Sequence, residues 1–206
     1  EDIVLSGFDL WRIAARLRLP TRMVARAFCK ASIGQVSRLP VLRLAPVREE
    51  GNNCPFLTDS HCAIHDAEPL VCALYPLAQE ITKEGRVSYF LQPTSCGGQV
   101  ISAKVEDYLA RYDVPAREAA DVRWAQVCMA LEDRVEALEA VFEPVFIRRM
   151  RQKLWQALYY QYDFAAPFLP QLEENLRGLD AELEKLSALQ ERRNVRFRES
   201  IEKTDR

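Results

Sequence analysis

Histidine is almost missing from this chain: two occur in 206 residues, both beside cysteines, at His61 and His65. No Ser–His–Asp constellation can be argued from so few, which removes the commonest hydrolytic machinery. Glycine is scarce as well, with seven residues, and none of them forms a G-x-G-x-x-G loop after a strand. A nucleotide-binding turn of that kind is excluded. There is no excess of positive charge: the formal net charge is −2, with basic residues spread along helices, so no nucleic-acid surface is expected. No apolar run approaches the length of a membrane span. The first residues, EDIVLSGFDLW, are acidic where a secretory signal would begin basic. Six cysteines without an export signal imply a reducing, cytoplasmic setting, where clustered thiols more often bind metal than form disulfides.

What the chain does contain is helix, with a smaller extended part. Ser6 and Asp9 can cap a helix through FDLWRIAARLRL, with Leu10, Ile13, Ala14 and Leu17 on one face. A second helix is expected through PTRMVARAFCK, which would place Cys29 on it, and a short strand in RLPVLRLAPV. AQEITKEGRVSYFLQP reads as a hairpin turning at Glu84-Gly85. Beyond about residue 100 the pattern is helical. Four helices are expected, in VISAKVEDYLARYDV, from Pro115, from Pro144, and from Gln171 onward. In the last, Leu172, Leu176, Leu179, Leu183, Leu186 and Leu189 form a heptad-like seam, and the polar residues FRESIEKTDR after it are expected to fray. The fold class is therefore α+β, mostly α. A cysteine-rich module with a short hairpin spans residues 1–99, and a bundle-like helical extension spans residues 100–206.

Soft ligands are concentrated in CPFLTDSHCAIHDAEPLVCALYP, residues 54–76. Cys54, Cys62, Cys72 and Cys96 lie in loops or at element ends, separated by seven, nine and twenty-three residues. Four thiolates converging on one point suit a structural zinc ion or an iron–sulfur cluster. The closely paired cysteines of a zinc ribbon are absent, and long intervals suit the larger cluster, gripped from separate segments. His61 and His65 read as surface histidines beside turns, and Tyr75 as core. Cys29 and Cys128 read as buried, inert thiols among apolar neighbours.

CPFL, C-x-I, P-x-x-C-x-x-YP and C-G together resemble the bacterial cysteine-cluster proteins of the YkgJ type, described as zinc- or iron-chelating. The upstream DIVLSGFDLWRIAARLRLP is similar to the helix those proteins carry, so the likeness covers about residues 2–98. It implies the same ligand positions, Cys54, Cys62, Cys72 and Cys96. It also implies a CxxCxxCC cluster just before the Asp-Ile-Val segment, which the given sequence, starting at Glu1, does not contain. Two departures stand out: family members place Arg before the proline and Arg after the third cysteine, where this chain has Glu68 and Ala73. His65 stands where a Tyr often follows the C-x-I step.

The expected function is a metal-binding protein with a redox or accessory role, holding a 4Fe–4S cluster or zinc. A zinc-stapled protein-interaction module is the alternative, with the helical C-terminal half meeting a protein partner. A third reading is an enzyme like the flagellin lysine N-methylases, which share the cysteine module in a longer chain.

Overall fold

A computed structural model describes residues 3–47, 51, 53–93 and 104–204, with side chains to residue 196. The architecture is α+β and mostly α. A two-residue strand, β1 (Val4–Leu5), leads into helix α1 (Gly7–Leu17). The start of α1 is a reciprocal cap. The Asp9 amide donates to the Ser6 hydroxyl and the Ser6 amide donates to the Asp9 carboxylate, both at 2.9 Å. Each satisfies a donor the first turn leaves orphaned. The helix ends at Arg18, whose φ of 54° turns the chain left-handed toward α2 (Thr21–Phe28).

The second helix is shorter than its sequence pattern suggests. It stops at Phe28, and Cys29 opens strand β2 (Cys29–Ile33). Strand β3 (Pro40–Leu44) lies between β1 and β2, antiparallel to both, with Cys29 opposite Leu44 and Val4 opposite Arg43. Pairing with β3 draws Cys29 into extended backbone, which no local signal around Phe28 announces. Pro40, Leu42 and Leu44 alternate inward along β3, and Leu42 is fully buried.

The hairpin β6 (Leu77–Ile81) and β7 (Val87–Leu91) forms as the sequence predicts. Its turn closes through the Gly85 amide donating to the Thr82 carbonyl at 2.9 Å, with Gly85 at φ 82°. Between β3 and β6 lie a miniature hairpin, β4 (Leu57–Thr58) with β5 (His61–Cys62), and a short helix, α3 (Leu70–Leu74).

The helical half comprises α4 (Val105–Arg111), α5 (Val114–Glu139), α6 (Pro144–Trp155) and α7 (Phe168–Thr204), with a π-helical turn at Gln156–Tyr160 continuing α6. Helix α7 differs from expectation at both ends. Pro170 lies inside its first turn, where an amide would have no partner, and the backbone stays helical to Thr204. Leu172, Leu179, Leu183 and Leu186 are buried along it, but Leu189 is 44% exposed. Gln190 takes the inward place instead, accepting from the Glu143 amide at 3.0 Å. That contact caps the N-terminus of α6, so a polar side chain holds the last inward position of the seam.

One large hydrophobic cluster gathers Leu10, Ile13 and Leu42 with Val127, Met150, Leu154 and Leu172. A smaller one joins Leu74 to Leu109 and Val114. Both draw side chains from each side of the compositional change near residue 100. Among the described residues no helix is long and apolar enough to cross a membrane.

Candidate functional site

The cysteine segment is held by turns that its residues dictate. Asp59 and Ser60 both adopt positive φ, 48° and 64°, joining β4 to β5 in a two-residue turn. Two left-handed residues in succession match the twist of a tight hairpin, and Asp tolerates that region better than most side chains. The turn places Cys62 opposite Leu57. Cys54 precedes the hairpin, exposed, with its carbonyl accepting from the Leu57 amide at 3.0 Å. Phe56 anchors the hairpin from beneath: it is buried, and its ring lies 4.7 Å from that of Phe28. Ile64, also buried, pins the exit, and a single 3-10 turn, His65–Ala67, leads toward α3.

Cys72 sits in the middle of α3. Pro69 precedes that helix and offers no side-chain cap. The missing acceptor comes from α1, where Asp9 receives the Leu70 amide at 3.0 Å. The same carboxylate oxygen accepts from Arg117 of α5 at 2.6 Å, and Arg117 grips Asp121 through two nitrogens, at 2.6 and 3.0 Å. A third guanidinium nitrogen donates to the Glu68 carbonyl at 3.4 Å. Nearer the surface, Arg12 donates to the Asp66 carbonyl at 2.9 Å and Arg16 to the Asp66 carboxylate at 2.8 Å. Residues 66–70, the link between Cys62 and Cys72, are thus held from two helices by three arginines and one aspartate.

The buried triad is compensated internally. Burial alone would drive the Arg117 guanidinium down, but hydrogen bonds to Asp121 and the charge of Asp9 outweigh it, and the net direction is up. Burial pushes the Asp121 carboxyl upward against the pull of Arg117. Phe8 lies under the guanidinium, 5.5 Å from its carbon, and completes the enclosure.

The thiols divide by environment. Burial pushes Cys72 up to about 12, with the charges of Glu68, Cys54 and Cys62 adding to it. Cys62 is also raised, by burial first and then by Glu68 and Cys54. Among the described residues no three His, Cys, Asp or Glu side chains converge as a ready metal cage. Cys96, the fourth expected ligand, lies outside the described residues. Thiolate donors suit a soft or borderline ion, whose positive charge would favour the deprotonated form that burial disfavours at Cys62 and Cys72.

Cys29 and Cys128 lie apart, each pushed up to about 12 by burial against the main core. Cys128 is helical as expected; Cys29 is not. His61 is exposed, with Nδ1 2.7 Å from the Asp59 carbonyl, and His65 faces Glu68 at 3.4 Å and the edge of the Tyr112 ring. The Tyr75 carbonyl accepts from the Tyr108 hydroxyl. Ala73, which stands where members of the family it resembles have Arg, is 2% exposed, so a charged side chain at that place would be buried.

In the sequence Asp9 stands out only as a helix cap, and Arg117 and Asp121 do not stand out at all. The signal was present: Arg117 and Asp121 interrupt the buried face that Val114 and Ala120 begin, and charge on such a face demands partners. No protein-family model, curated protein or solved structure matches this chain.

Proposed function

We propose that this chain is a metal-binding protein in which Cys54, Cys62 and Cys72, with Cys96, hold an iron–sulfur cluster in a redox or accessory role. The observation that carries the reading is the way the fold holds the thiol segment: the hairpin pairs Cys62 with Leu57, whose amide is bonded to the Cys54 carbonyl, and Asp9 fixes the start of the helix that carries Cys72. Burial disfavours the thiolates of Cys62 and Cys72, and a bound cation is the ordinary compensation. When bound, a cluster supplies one-electron redox capacity, whereas zinc supplies a cross-link. The chain's own part is to hold the ligands. Asp9 and Arg117 fix the approach to α3, and Phe56 and Ile64 seat the hairpin on the core.

The reading places the protein in a reducing cytoplasm, where thiols stay available to metal. It assigns the helical half to a protein partner, supported by Val195 and Leu189, which stand exposed on the distal turns of α7. Anaerobic purification followed by visible spectroscopy and by iron, sulfide and zinc analysis tests the proposal. A brown protein with stoichiometric iron and sulfide is expected. A colourless protein with one zinc per chain would transfer the site to the structural alternative. A protein that takes up neither metal refutes both.

A further inference from the structure

Beside the helix that carries Cys72, a cleft of about 450 Å³ opens between the three-stranded sheet, the β6–β7 hairpin and α5. Its volume falls in the range of small-molecule pockets. Leu70, Val71 and Leu74 of α3 form one wall, with Leu39 and Leu77 on others. Trp124 and Tyr159 supply aromatic surface, their rings edge-to-face at 5.4 Å.

The charged side chains that line this cleft, among the described residues, are of one sign. Among the described residues no lysine, arginine or histidine lines it. Two carboxylates do, Asp9 and Glu132. Asp9 is already neutralised by Arg117. Glu132, half-buried on α5, forms no ion pair or hydrogen bond with the other described residues, so its charge is uncommitted. Phosphates and carboxylates would meet apolar walls and an unpaired anion, and are rejected on both counts. A cation with an apolar body satisfies both: its hydrocarbon replaces water on the aliphatic walls, its charge meets Glu132, and the aromatic faces favour positive charge.

We infer that this cleft is a binding site for a small organic ammonium, an apolar molecule carrying one protonated amine, with Glu132 as its counter-ion. The inference is independent of whether metal occupies the cysteines.

The test titrates the ¹⁵N-labelled full chain, as purified, with n-hexylamine, n-hexanol and n-hexanoate at neutral pH. Saturable shifts at Ala78 and Met129, both on the cleft wall, are expected with hexylamine. A charge-assisted contact should make it bind about ten-fold tighter than hexanol, with hexanoate weakest. Glu132→Gln, close in shape, should bring hexylamine to the level of hexanol and leave hexanol unchanged. Ala78→Phe, which fills the cleft, should weaken both. Hexylamine that does not saturate, a preference that survives Glu132→Gln, or binding indifferent to Ala78→Phe overturns the assignment.

Discussion

Asp9 and Arg117 stand 108 residues apart in the chain and 2.6 Å apart in the fold, both almost wholly buried. Their contact ties α1 to α5 and, through the Leu70 amide on the same carboxylate oxygen, ties both to the helix bearing Cys72. Removing one partner of a buried pair leaves an uncompensated charge, which typically costs about 3–5 kcal/mol. Arg117→Leu strands Asp9 and Asp121 together and should lose that much in urea unfolding. Asp121→Asn keeps an acceptor for Arg117 and should cost less. An Arg117→Leu protein as stable as the parent would show that the triad is not closed as described.

Metal content should separate the cysteines into two sets. Cys54→Ala, Cys62→Ala, Cys72→Ala and Cys96→Ala should each lower bound metal by elemental analysis, while Cys29→Ala and Cys128→Ala leave it unchanged. Loss of metal from Cys29→Ala with retention in Cys72→Ala would contradict the ligand set.

Thiol reactivity gives a second, metal-free measure of the same division. Alkylation proceeds through the thiolate and needs access. Cys54 is exposed, whereas Cys29 and Cys128 sit against the core and are pushed up to about 12. Brief iodoacetamide treatment of the chelated, folded chain, followed by peptide mass spectrometry, should find Cys54 modified first, with Cys29 and Cys128 well behind it. Equal labelling of Cys54 and Cys128 would mean that α5 does not pack as seen.

Alkali should destabilise the fold more than ordinary thiol ionisation would. Burial raises Cys128 to about 12, and Tyr159 and Tyr162 move in the same direction. A folded-state value above the unfolded one means that the native state holds its proton more tightly. The associated stability is complete below the ordinary thiol range, near pH ~8.5, and is lost as pH rises toward about 12. At pH ~10 one such thiol accounts for roughly 2 kcal/mol of that loss. Urea midpoints should therefore fall between neutral pH and pH ~10, and Cys128→Ala should flatten the fall.

Two glycines should respond in opposite directions. A Cβ on Gly7 would lie 2.4 Å from the Trp124 ring and 2.5 Å from the Leu158 carbonyl oxygen. Gly7→Ala should cost about 1–3 kcal/mol, since a packed ring and a main-chain oxygen must both yield. Gly178, inside α7, has open space around it, and Gly178→Ala should stabilise by about 0.5–1 kcal/mol. Thermal melts of the two variants check both signs.

The same division between near and distant causes runs through the whole molecule. Residues close in sequence determined the Ser6–Asp9 cap, the inward alternation of β3, the turn at Gly85 and the positions of the helices. Each depends on spacing within one or two turns, which composition and periodicity record directly. The end of α2 at Phe28, the exposure of Leu189 in favour of Gln190, and the joining of Asp9 to Arg117 were decided only in three dimensions. A β-partner, a helix terminus or a counter-charge arriving from elsewhere in the chain made the difference in each case. The cysteine stretch belongs to both: its turns at Asp59 and Ser60 are local chemistry, but the clasp on residues 66–70 comes from arginines on two helices. Local preference is worth a few tenths of a kcal/mol per residue, whereas a desolvated charge without its partner costs several, so the long-range contacts had the final say.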